Sequence, residues 1–188
     1  DLKPALESPA LKELFPAPQQ GPLRQTARPI EAWHGTPNGG FEEFAPSDRG
    51  IWFTDKKQLA DSYRNQRGMW LSPGKNPKTI RAELSPENPM KIDAGGARHN
   101  NIPYPGQEYK RTVFGRLPEN AVSAEDAFQR AREAGHDAVI IRNLMDAADP
   151  TNKLRSTVYA MTDPKRIKIL EMLGLGGIGA GVATRDKP

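Results

Sequence analysis

The chain contains no cysteine. That absence excludes disulfides and thiolate zinc sites, and it fits a reducing compartment. Long apolar runs are missing too. None is long enough to cross a bilayer as a helix, and Asp1-Leu2-Lys3-Pro4 does not open like a signal peptide. No membrane role and no metal site are therefore expected. A concentrated basic run is also lacking. The net charge is +4 and the sequence pI near 9.4, but the lysines and arginines are scattered. Such scatter reads as a solvated basic surface; nucleic acid stays possible as a partner but is not indicated.

What is abundant is proline and glycine, 18 and 17 residues among 188. With 36% hydrophobic residues, that composition allows one domain with a real core and much loop. Residues 1–28 carry prolines at positions 4, 9, 16, 18 and 22 and read as an extension. Residues 29–173 read as the domain. Residues 174–188 are glycine-rich and read as a flexible tail or linker. An N-terminus at Asp1 is read as that of a fragment excised from a longer protein.

Within the domain, residues 29–36 form an apolar strand that ends in Trp33-His34-Gly35-Thr36. Pro37-Asn38-Gly39-Gly40 is a turn. Phe41 and Phe44 flank two acids. Glu42 and Glu43, being adjacent, point apart and read as a solvated edge. Gly50-Ile51-Trp52-Phe53-Thr54 is an aromatic strand. A helix follows, with Asp55 as its expected N-cap and Leu59, Ala60 and Tyr63 on one face. Gly68 is its expected C-terminal cap, and Met69-Trp70-Leu71 is a short apolar stub.

Residues 79–84 alternate, with Ile80, Ala82 and Leu84 on one face. Residues 88–93 continue that strand after a turn. Residues 94–113 form a long loop; His99 in it reads as solvent-exposed first and catalytic second. Residues 123–134 form the clearest helix, with Ser123 and Asp126 resembling a capping box and Gly135 closing it. Residues 136–143 are a strand buried on both sides, 144–155 a polar loop, and 156–162 a second alternating strand. Asp163-Pro164 starts either a helix or, one turn later, a strand.

A histidine-glycine strand end, an aromatic strand and a helix-borne tyrosine would together line one cleft. Glycine at 35 would let a flat ligand reach the main chain, because no Cβ stands in the way.

Those pieces resemble the NAD-binding core of the ADP-ribosyltransferase superfamily, in its diphtheria-toxin and poly-ADP-ribose-polymerase-like branch. The matching residues are His34-Gly35-Thr36, Gly50-Ile51-Trp52-Phe53 and Ala60-x-x-Tyr63. A segment similar to Phe41-Glu42-Glu43-Phe44 follows the His-Gly strand in that family, and the resemblance implies that the two phenylalanines plug the core beneath a cleft. The segment "AREAGHDAVIIRN", with Asp137 in it, is similar to the ADP-ribosyltransferase domains of phage and mobile-element polyvalent proteins. The resemblance spans most of the chain, from Ile30 to Ile169. It implies an α+β fold with two small, mostly antiparallel sheets that form an NAD cleft, and helices outside. It also implies the roles in that cleft. His34 would hold a ribose hydroxyl of the adenosine side. Gly35 would grip the nicotinamide carboxamide through its main chain, and Thr36 would sit beside a ribose hydroxyl. Tyr63 would stack on the nicotinamide with Phe53 behind it, and Trp52 takes the place of the branch's usual tyrosine.

The departure lies in the late strand. The branch carries a glutamate directly before a tyrosine; here that tyrosine is Tyr159 and the preceding residue is Val158. Valine cannot stabilise a developing cation, and losing such a group costs about a hundred- to thousand-fold in rate. Substitutes are Asp149, ranked first, then Asp146 and Asp61, each of which also reads as an ordinary solvated acid. The other toxin branch requires Glu-x-Glu, which the sequence does not contain.

The expected function is mono-ADP-ribosyl transfer from NAD, its substrate, to a macromolecular acceptor, with a protein favoured. Tyr63 and Asp149 are the expected catalytic residues. The setting implied is a phage, mobile-element, toxin or effector polypeptide acting in the cytoplasm of a host cell. The rival expectation is a domain without turnover that binds NAD or ADP-ribose or serves structurally, and a third is simple NAD hydrolysis.

Overall fold

The computed structural model describes residues 28–66, 75–103, 121–146 and 154–174. The extension before Arg28, Gly68, the stub at 69–71, the loop beyond Pro103, Asp149 and the tail after Gly174 lie outside the described residues.

Among the described residues nine strands and two helices follow one another: β1 (Ile30–Thr36), β2 (Ile51–Thr54), α1 (Lys57–Gln66), β3 (Lys78–Leu84), β4 (Pro89–Asp93), β5 (Ile102–Pro103), β6 (Ala121–Val122), α2 (Ala124–Glu133), β7 (Ala138–Met145), β8 (Arg155–Met161) and β9 (Ile167–Gly174). A 3-10 turn, Pro164–Arg166, sits before β9, so the Asp163-Pro164 segment is a capped turn and then a strand. The α+β class expected from the sequence holds. The sheet arrangement differs from the expectation. Seven strands form one sheet in the order β4-β7-β8-β2-β1-β3-β9, and β5 and β6 form a small ribbon.

The large sheet has a seam. β1 follows β3 over seven residue pairs, but it meets β2 only at Trp33 and Thr54. Four strands lie on one side of that seam and three on the other. Past Trp33 the two strands part, and the space between them opens as a cleft. The expected pair of sheets is thus one sheet, held together at its middle by one rung.

A second correction concerns β4. The sequence reading continued it from β3 as a neighbour. Instead β4 crosses to the far edge and runs parallel to β7. Asp137, just before β7, ties the incoming chain in place. Its carboxylate accepts from the backbone N–H of Glu87 at 2.6 Å and of Asn88 at 2.8 Å, and so holds the chain where it enters β4.

Alternation along the strands divides the core between the two faces of the sheet. On one face Val139, Ile141, Val158 and Ala160 pack with Phe128, Ala127 and Ala131 of α2. On the other, Phe53, Ala32, Ala82 and Met161 pack with Phe44 and Tyr159. The α2 helix starts as its sequence foretells: Ser123 caps it, and the Asp126 side chain returns a bond to the Ser123 N–H. Satisfying two otherwise orphaned N–H groups in this way is worth about 0.5–2 kcal/mol.

Asp55 does not cap α1, which begins two residues later. Its carboxylate accepts from the Thr157 N–H at 2.9 Å, and its own N–H donates to the Thr157 carbonyl. The residue therefore extends the pairing between β2 and β8. Asp61 anchors α1 to the sheet. It accepts from the Thr79 hydroxyl at 2.6 Å and from Lys57 at 2.8 Å, and Thr79 is fully buried.

Candidate active site

The cleft at the seam has a volume of about 760 Å³. β1 and β2 form its floor, and α1, the start of α2, the end of β7 and Val158 of β8 form its walls. Every cofactor-contact residue expected from the sequence lines it: His34, Gly35, Thr36, Trp52, Phe53 and Tyr63.

His34 sits where the ladder fails. Its Nδ1 lies 2.7 Å from the Trp52 carbonyl oxygen. A carbonyl only accepts, so Nδ1 carries a proton and donates it across the seam. The side chain thereby replaces a backbone rung across the seam. The ring is held edge-on by Phe44 at 5.1 Å and tilted against Phe53 at 5.5 Å. Phe44 in turn touches Phe53 and packs on the core beneath the cleft, while half-buried Phe41 packs on Phe44 and belongs to neither core cluster. Phe53, only 2% exposed, packs its ring against the histidine.

Gly35 has a different reason from the one its sequence suggests. A Cβ there would lie 1.8 Å from the carbonyl oxygen of Ala60 and 2.9 Å from the Arg64 nitrogen. The missing side chain makes room for the backbone of α1, not for a ligand. This close approach of helix to strand carries Tyr63 to the cleft. Gly35 remains paired with Thr79 of β3, but lies beyond the last rung joining β1 to β2.

Tyr63 is 40% exposed, the one large apolar side chain so open among the described residues. Its ring lines the cleft, while its hydroxyl donates to Asp146 at the end of β7. Burial of the hydroxyl end, the Asp146 charge and that hydrogen bond all push the phenol above its ordinary range, and Glu125 adds to the effect. Asp146 is 5% exposed. The pair forms a clasp across the cleft, from the helix over β1 to the far half of the sheet.

Thr36 accepts from the Asn38 N–H at 3.2 Å, which leaves its own O–H to donate. Trp52 donates its indole N–H to the Arg49 carbonyl at 2.7 Å and leans on Phe128 at 5.9 Å. Gly50, with φ +76°, lets the chain enter β2 against the Phe128 ring, which a Cβ would meet at 2.8 Å.

Val158, 4% exposed, is part of the cleft wall, opposite Ile141 of β7 and Thr54 of β2. Of the three acids weighed as its substitute, Asp146 is in the cleft, Asp61 is committed to Thr79 and Lys57, and Asp149 falls outside the described residues. Further cleft residues that the sequence did not mark as site residues include Glu125 and Trp33. His99, expected in solvent, is half-buried in the wall.

A family model described as ADP-ribosyltransferase in polyvalent proteins matches residues 25–171. The chain belongs to that family. ADP-ribosyltransferase domains transfer ADP-ribose and draw it from NAD. No curated protein and no solved structure matches this ADP-ribosyltransferase domain. Its match takes in every described element except the end of β9.

Proposed function

We propose that the cleft binds NAD and that the domain transfers one ADP-ribose unit to a macromolecular acceptor, a protein in the first place. The observation that carries this reading is the meeting of His34, Gly35 and Tyr63 in one cleft, from a strand and a helix whose nearest ends are 21 positions apart in the chain. The character of the lining supports it. The nicotinamide of NAD is a flat cation, and an aromatic face beside carboxylates suits such a ring. Tyr63 offers the face, and Asp146 and Glu125 the charge. The described lining contains no lysine or arginine, so it suits the nicotinamide riboside end; the pyrophosphate would lie beyond it.

In this reading Tyr63 stacks on the nicotinamide, and its clasp to Asp146 sets the angle of the ring. The Gly35 main chain, past the last rung to β2, meets the carboxamide. His34 and Thr36 bond ribose hydroxyls. Cleavage shifts positive charge to the ribose, so orientation and nearby negative charge matter more than a strong base. Within a larger phage or mobile-element polypeptide, such a domain would act as an effector in the cytoplasm of the host.

Val158 favours a second reading, an NAD-binding module without turnover, because the wall bears an apolar side chain where a carboxylate would be useful. Calorimetric titration with NAD, then chromatographic assay of free nicotinamide and label transfer from NAD to lysate proteins, separates the readings. Transfer supports the enzyme. Binding without nicotinamide release supports the module. Absence of binding overturns both.

A further inference from the structure

The wall facing α1 has an acid that the late strand does not provide. Glu125 is in the first turn of α2, exposed, and lines the cleft. Its backbone is fixed on two sides. Ser123 caps the helix just before it, and the Ala124 N–H donates to the His99 carbonyl at 2.7 Å. The loop carrying His99 is itself tied to β7, through the His99 N–H to the Met145 carbonyl at 3.3 Å. The backbones beside Glu125 and His99 are therefore tied together in the wall of the cleft that Asp146 also lines. His99 Nδ1 is buried and has no hydrogen-bond partner among the described residues.

The two carboxylates of the cleft are not equivalent. Asp146 is buried and receives the Tyr63 hydroxyl, so part of its charge is already answered. Glu125 is exposed to the cleft. From this division we infer that Glu125 is the catalytic carboxylate of the domain, facing the nicotinamide-side ribose, and that Asp146 is a positioning residue acting through Tyr63. The inference rests on the NAD reading above. In the simplest turnover the C1′–N bond breaks, and both its electrons leave on nicotinamide, which becomes neutral. The ribose carbon takes the positive charge, which Glu125 stabilises. Water, or an acceptor hydroxyl or amine, then bonds to C1′ and gives up a proton to Glu125, which passes it to solvent.

The test compares wild type with Glu125→Gln, Glu125→Ala and Asp146→Asn. Each is followed by NAD titration, nicotinamide release and thermal melting. Glu125→Gln is expected to keep NAD affinity within about threefold and to slow release by about a hundredfold or more, the usual size of a lost electrostatic group. Formate, but not chloride at equal ionic strength, should restore part of the rate to Glu125→Ala. Asp146→Asn should weaken NAD binding and leave the formate response absent. Wild-type release that is unchanged in Glu125→Gln overturns the assignment of Glu125 and spares the NAD reading. NAD binding by wild type without release overturns the catalytic role alone, and absence of binding overturns both.

Discussion

Replacing Gly35 with alanine tests the contact on which the cleft depends. The new Cβ would lie 1.8 Å from the Ala60 carbonyl oxygen, with two more backbone atoms of α1 within 3 Å. A carbon-oxygen contact needs about 3.3 Å, so helix and strand must separate by about 1.5 Å. No rotamer relieves the clash, because both sides are backbone. The displacement would stretch the 2.6 Å bond between Asp61 and the fully buried Thr79 hydroxyl beyond reach. Overpacking costs about 1–3 kcal/mol and an unsatisfied buried hydroxyl about 1–3 kcal/mol more. Together these come to about 2–6 kcal/mol out of a total stability of about 5–15. At about 3 °C per kcal/mol for a domain of this size, Tm should fall by about 6–18 °C. Tyr63 would move with its helix, and NAD affinity would fall. Thermal melting by circular dichroism and NAD titration measure the two effects. A Tm within about 2 °C of wild type would refute the packing argument. Lost NAD binding at unchanged Tm would instead restore the explanation read from sequence, that glycine is there for the ligand.

Tyr63→Phe keeps the ring but takes one donor from buried Asp146, and should cost about 1–3 kcal/mol in a melt. Tyr63→Ala also loses the stacking face, so its NAD affinity should fall further, by about another 1 kcal/mol in a titration. His34→Ala removes the bond across the seam and the support of two rings; lower stability together with weaker NAD binding is expected, and unchanged affinity would show that the cleft is misassigned. For Asp61, burial raises the carboxyl pKa, but the Lys57 and Thr79 donors and the charges of Lys57 and Arg64 outweigh it and hold the pKa below its ordinary value. Its contribution is therefore complete above about pH 4 and is lost as pH falls through the lower folded-state value. Asp61→Asn should flatten the acid side of a Tm-versus-pH curve, and an unaltered curve would exclude Asp61 as a source. The Tyr63 phenol is pushed up by burial and by Asp146, so absorbance titration should show it still protonated near pH 10, where an ordinary phenol is half-ionised.

Local patterns determined much of this protein. The alternation of Ile80, Ala82 and Leu84, all fully buried, the Ser123 capping box and the apolar stripe of α2 depend on neighbours a few residues apart. So the long strands, the main helix and the α+β class were legible in the sequence, as were the six residues that line the cleft around His34 and Tyr63; the short β5, inside a stretch read as loop, and β6 were not. Tertiary structure decided what those residues face. A strand carries no mark of its partner, so nothing local told β4 to leave β3 and run beside β7. A glycine reads alike whether a ligand or a helix comes close; only the position of Ala60 settles the matter at Gly35. An acid in a helix's first turn is stabilising anywhere, so Glu125 looked ordinary until the fold set it in the wall of the same cleft as Tyr63 and Asp146. Asp55 passed for a cap because its spacing was right, and Thr157, 102 residues away, claimed its carboxylate instead. Contacts across such distances set the chemistry of the cleft, and they exist only once the chain has folded.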